Sequence, residues 1–189
     1  MLAIGDSKTV GFFCCLEIEG YRQELAANLT ADISRDAQWL NSYALTGIKT
    51  AQAAAEIDSF LAPLNDADKL PEWVLINLGS NDLRSVEDGS LLEAAWTADM
   101  AHVLDSVHAK WPDAQVRVAL PYWINQDTAM ASMDGSWIPA LIAARSSWAA
   151  IGPDERIILT QPGNLDFDTH PTAQGYSAMA AAWQTAMGY

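Results

Sequence analysis

The chain has 189 residues, half of them hydrophobic and 18% charged, which suits one soluble domain over residues 1–189 and argues against disorder. A formal charge of −14 cannot neutralise a row of phosphates, so nucleic acid is not expected as a partner and anionic membrane surfaces are disfavoured. No apolar run approaches the length of a membrane span.

Met1 to Ile4 read as a first strand, broken at Gly5-Asp6-Ser7. No signal peptide is evident, and because this strand is short the compartment stays open between the cytoplasm and secretion with a trimmed N-terminus. Cys14 and Cys15 are the only cysteines; adjacent thiols bridge each other only under strain, so they are expected to pack beside Phe12 and Phe13. A helix over "YRQELAANL" precedes a second strand, "AQWLNSY". Next come a helix over "TAQAAAEIDSFL" and a third strand, "EWVLINL". In the long helical run from Leu91 to Trp111, Leu92, Trp96, Met100, Val103, Leu104 and Val107 recur at steps of three and four, which predicts one buried face. A fourth strand, "VRVALP", a helix over "IPALIAARSSWAAI", a fifth strand, "RIILT", and a last helix over "TAQGYSAMAAAWQTAM" complete the chain.

Five strands joined by crossovers of helical length predict an α/β fold with a parallel sheet. Right-handed crossovers favour a three-layer α/β/α sandwich with flavodoxin-like strand order, whose ligands gather at the carboxyl ends of the strands. The residues after the strands therefore carry the functional question. Ser7 follows the first, Gly47 the second, and Gly79, Asn81 and Asp82 the third; Asp166, Asp168 and His170 follow the fifth.

A serine hydroxyl needs a base before it attacks a carbonyl, and an imidazole whose ordinary pKa lies near neutral is suited to that task. His170 is the candidate; His102 and His108 flank the stripe of the long helix and read as surface residues. Pro171 fits the first turn of the last helix. Three donors are available for an oxyanion: the amide of Ser7, the amide of Gly47 and the side chain of Asn81. Asp6 and Asp82 read as loop braces.

At these residues the chain resembles the SGNH branch of the GDSL hydrolases. The matching blocks are "GDS" at Gly5 to Ser7, Gly47, "GSND" at Gly79 to Asp82, and "THP" at Thr169 to Pro171, in family order and across nearly the whole chain. The resemblance implies the flavodoxin-like sandwich, Ser7 as nucleophile, His170 as base, and Ser7, Gly47 and Asn81 as the oxyanion hole, with no cofactor. An α/β-hydrolase elbow is excluded, because Thr9 stands where it needs glycine. The family's acid lies three residues before the histidine, where this chain has Phe167. Asp168 or Asp166 then takes that place, with Asp168 favoured, or a backbone carbonyl orients the ring.

"DFDTH" also admits a rival. In an extended loop Asp166, Asp168 and His170 face one side and offer oxygen and nitrogen ligands for a metal-dependent hydrolase. A glycan-binding domain without catalysis is a third reading. "GYRQEL" resembles the "GYRxxL" helix of acetyl-carbohydrate esterases in the family, and Trp123 and Trp137 flank a loop suited to a substrate wall. The expectation is a short-acyl serine esterase acting on a small-molecule or glycan ester, most directly O-acetyl groups on carbohydrate. A lysophospholipase or thioesterase of the same fold is the alternative.

Overall fold

The computed structural model describes residues 1–13, 16–17, 20–33, 43–64, 70–166 and 170–189. The N-terminal half runs β1 (Leu2–Gly5), α1 (Ser7–Val10), a hairpin of β2 (Phe12–Phe13) and β3 (Leu16–Glu17), α2 (Tyr21–Ile33), β4 (Tyr43–Ala44), α3 (Thr50–Leu61) and β5 (Trp73–Asn77). Then follow α4 (Leu83–Glu87), α5 (Glu93–Lys110), β6 (Gln115–Leu120) and α6 (Asp127–Ser132). A π-helical turn (Met133–Trp137) leads into α7 (Ile138–Ala143), β7 (Ala149–Asp154) and α8 (Glu155–Leu159). A short hairpin of β8 (Leu165–Asp166) and β9 (His170–Pro171) enters α9 (Ala173–Met187).

Five strands pair in parallel in the order β4-β1-β5-β6-β7. The predicted sheet is therefore present, with the flavodoxin-like order. Leu2, Ile4, Val74, Leu75, Ile76, Val116 and Val118 are buried, as strands covered on both faces require. Helices α2 and α9 pack together in one layer and α3 and α5 in the other. The stripe on α5 is buried at Trp96, Met100, Val103, Leu104 and Val107; Leu92 is the N-cap and stays exposed.

One strand was misplaced. "RIILT" falls in α8, and the fifth strand is Ala149–Asp154, whose first three residues lie in the stretch expected to end the preceding helix. The three-residue apolar run Ile157–Leu159 has no period that separates strand from buried helix. Asp154 decides the outcome, since its carboxylate accepts from the amides of Arg156 and Ile157 and starts a helix there. Of the second predicted strand, Tyr43 lies in β4, whereas residues 37–42 fall outside the described residues, as do Cys14 and Cys15. Pro171 sits in β9, ahead of the N-cap Thr172, rather than in the first turn of α9.

The hairpin bearing His170 is tied down from the α9 side. The Thr172 amide donates to Asn164 O (2.9 Å), the Thr172 hydroxyl to Gly163 O (2.6 Å), and Asn164 Nδ2 to Ile158 O (2.8 Å). Gly175 permits this closeness, because a Cβ there would lie 2.1 Å from Asn164 O. Gly175→Ala should therefore force α9 away from the hairpin and lower stability by about 1–3 kcal/mol. Denaturant titration measures the loss, and wild-type stability would show that the helix end yields without cost.

Candidate active site

Ser7 opens α1 directly after β1, but it is not the helix cap. That role belongs to Asp6, whose Oδ1 accepts from the Lys8 amide at 3.0 Å. With the cap supplied by its neighbour, the Ser7 hydroxyl is left for another partner. It finds His170, whose Nε2 lies 3.1 Å from Ser7 Oγ although the two residues are 163 positions apart. With Nε2 unprotonated, the hydroxyl donates to it, a geometry in which an imidazole can take a serine proton. Ser7 is 7% exposed and His170 half-buried, so the pair sits at the floor of the carboxyl edge.

Asn81 bridges two neighbouring loops. Its Nδ2 donates to Ile48 O at 3.0 Å and to Asp6 Oδ2 at 3.3 Å. Gly47, just before Ile48, is exposed with φ +77°, in the left-handed region that favours glycine, and a Cβ there would meet nothing within 4 Å. Asp82 accepts from the Thr50 amide (3.0 Å) and the Thr50 hydroxyl (2.6 Å), which anchors α3 and the Gly47 loop leading into it. Asp6 and Asp82 thus brace loops as expected. Burial pushes the Asp6 carboxyl up to about 6, against the pull of Lys8. Burial likewise raises Asp82, while its Thr50 hydrogen bonds lower it.

His170 does not follow a sheet strand directly, as the sequence suggested. It arrives after α8, on the β8–β9 hairpin, where Asp166 is its direct cross-strand partner. Asp168, the favoured acid, lies outside the described residues. Among the described residues, no group of three His, Cys, Asp or Glu side chains is placed to hold a metal ion. Trp123 is half-buried against the core. Trp137 is corrected from wall to core: only 8% exposed, its ring packs against Trp96 at a centroid distance of 6.1 Å. His102 lies on the surface beside Asp58, as expected, but His108 is half-buried and stacked on Trp148 at 4.2 Å.

Sequence reasoning missed an ion pair beside Ser7. Lys8 Nζ, 2% exposed, donates to Ser80 Oγ (2.6 Å), Tyr122 O (3.0 Å) and Glu155 Oε2 (2.5 Å). Glu155 in turn accepts from Asn77 Nδ2 (2.9 Å) and the Tyr122 amide (3.2 Å). The signal for Lys8 was a lysine inside a tight turn; Glu155 was hidden beside a run misread as strand.

The GDSL-like lipase/acylhydrolase family profile matches residues 3–178. The chain belongs to this family. It is accordingly a carboxylic ester hydrolase, with ester substrates. Among solved structures, the goat-rumen metagenome lipase Lip_vut3 superposes with a TM-score of 0.77 at 19% identity, over 100% of this chain and 96% of that one. A catalytic mutant of Axe2, an acetylxylan esterase from Geobacillus stearothermophilus, gives 0.74 at 18% identity, over 100% and 93%. A Clostridium thermocellum family 3 carbohydrate esterase gives 0.71 at 18%, over 98% and 93%. At these identities the likeness establishes the fold. Comparison with curated proteins finds no match. Among the described residues of this esterase, no helix is long and apolar enough to cross a membrane.

Asp134 adds a pH-sensitive group in the π-helical turn. Both its oxygens are buried with no hydrogen-bond partner among the described residues. Burial, reinforced by the charges of Asp154 and Glu155 against Arg156, pushes it up to about 7. A carboxyl raised on folding stabilises the folded state fully only below its unfolded pKa, and that contribution is lost as pH rises through the folded value. Asp134→Asn should therefore stabilise the protein by about 1 kcal/mol above pH ~7, partial solvent access screening the rest, and by little near pH ~4. Thermal melts at the two pH values test this, and equal shifts at both would contradict it.

Proposed function

We propose that this GDSL-family hydrolase is a serine esterase for short acyl esters, with O-acetyl groups on carbohydrate as its substrate class. The 3.1 Å approach of His170 Nε2 to Ser7 Oγ carries the reading. His170 takes the Ser7 proton as Oγ attacks the ester carbonyl. The oxyanion is received by the Ser7 and Gly47 amides and by Asn81 Nδ2, drawn from its present acceptors. The tetrahedral intermediate collapses, His170 protonates the departing alcohol, and the acyl group remains on Ser7. Water deprotonated by the same histidine then releases the acid and restores the hydroxyl. Asp168 or Asp166 orients the imidazole, or a backbone carbonyl does so, and neither acid is needed to hold a metal.

The acetyl preference draws on the acetylxylan and carbohydrate esterases among the structural relatives. It also draws on the "GYRQEL" resemblance, although Tyr21 and Leu25 of that stretch are buried. Tyr21 Oη lies 3.2 Å from Thr9 Oγ1 and its ring stacks on Trp183, so this part of the motif braces the nucleophile turn rather than touching substrate. Half-buried Trp123 is the remaining candidate for an aromatic wall.

The test is hydrolysis of p-nitrophenyl esters of increasing chain length, with and without EDTA. Ser7→Ala should lose roughly a millionfold in kcat. Asn81→Ala should lose roughly 10²–10³-fold in kcat. EDTA should change nothing, and activity should peak at the short chains. Retained turnover in Ser7→Ala with loss in EDTA would favour the metal reading through Asp166, Asp168 and His170. A rise toward long chains would favour the lysophospholipase or thioesterase alternative.

A further inference from the structure

The family's name spells leucine after Gly-Asp-Ser, and this chain has Lys8 there instead. A leucine would hold the turn by packing alone. An ammonium has three donors that must each find an acceptor when buried, so it also imposes direction. The three it finds lie on three different segments: the loops after β5 and β6 and the start of α8. Ser80 precedes Asn81, the side-chain oxyanion donor. Tyr122 precedes Trp123, the aromatic candidate. Glu155 opens α8, which leads toward the His170 hairpin. Through its own amide, Lys8 also holds Asp6, whose second oxygen accepts from Asn81.

We propose that Lys8 is a positioning residue of this esterase: its buried ammonium, bonded to Ser80, Tyr122 and Glu155, sets where the Asn81 carboxamide and the Tyr122–Trp123 segment stand relative to Ser7. The proposal rests on the serine-esterase reading of the site. Stability alone is a poor reason to keep such a pair, because apolar replacements of similar volume often cost nothing. Misplacement at a reacting centre is costly, since about 1 Å can remove a hundredfold in rate.

Asp6 supplies a readout that packing would not move. It is faced by Lys8 on its own turn, Glu155 from α8, Asp82 ahead of α4 and Tyr21 from α2, with His170 across Ser7. Lys8 lowers its pKa, whereas Glu155 and Asp82 raise it. Once protonated, Asp6 no longer offers Asn81 a charged acceptor, and the carboxamide is held less firmly. Removing the Lys8 charge should thus raise the acid limb of the kcat profile, and removing the Glu155 charge should lower it.

The experiment measures kcat and KM for p-nitrophenyl acetate between about pH 5 and 8. The proteins are wild type, Lys8→Met, Glu155→Gln and the double variant Lys8→Met/Glu155→Leu, each checked by circular dichroism. The double variant removes both charges and guards against a single variant that leaves one buried charge and fails to fold. It should fold and lose about 10- to 100-fold in kcat with little change in KM. The single variants should move the acid limb in opposite directions. Wild-type kcat in a folded double variant would overturn the proposal, as would limbs that move the same way. Ser7→Ala is the control: if it keeps its activity, the esterase reading falls by itself. NMR titration of the Asp6 carboxyl in the same variants then still decides, and an Asp6 that titrates identically in wild type and Lys8→Met overturns the positioning role.

Discussion

An ammonium cut off from water needs an acceptor for each of its three protons, and Lys8 draws them from the ends of β5 and β6 and from the start of α8. Glu155 returns the constraint by accepting from Asn77 at the end of β5 and from the Tyr122 amide. Four parallel strands therefore reach the carboxyl edge and are joined there by one ion pair. Neither partner is more than 2% exposed, so little solvent screening weakens the connection. Ser7 is covalently attached to that junction and inherits its position.

Around it stands a second set of polar ties with a different task. Asp82 holds the start of α3, and with it the Gly47 loop, against the loop after β5. Asn81 reaches from that same loop to Ile48 and Asp6. Thr172 and Asn164 secure the hairpin on which His170 rides. Each loop is anchored by hydrogen bonds, buried between Asp82 and Thr50 and part-buried at Asn81 and Asn164, and such bonds are costly to leave unmade away from water. Groups from distant parts of the chain can then meet within hydrogen-bond reach.

Family membership assigns the reaction class, and the described geometry holds a serine hydroxyl and an imidazole within hydrogen-bond reach of each other. On the loops after β4 and β6, Leu45 and Ile124 are exposed apolar residues, and Trp123 is half-buried beside the second of them.

The sheet and most helices were legible because long apolar periods speak for themselves: α3 spans the stretch read as Thr50–Leu61, and five of the six stripe residues on α5 are buried. Ser7, Gly47, Asn81 and His170 stood out because residue types suited to acyl transfer recur in order along the chain, and the fold brings His170 to Ser7 and the Asn81 side chain to Ile48, next to Gly47. The fifth strand was not legible, since a short apolar run carries no period and the Asp154 cap had to select the helix. Trp137 was misread because an aromatic ring in a loop-like stretch looks the same whether it packs on Trp96 or faces a substrate. Sequence alone determined the fold class and the chemical inventory, because both depend on local pattern and residue type. Only the tertiary structure decided that Lys8 and Glu155 form one buried pair, because partners 147 positions apart share no local pattern and meet only when the strands lie side by side.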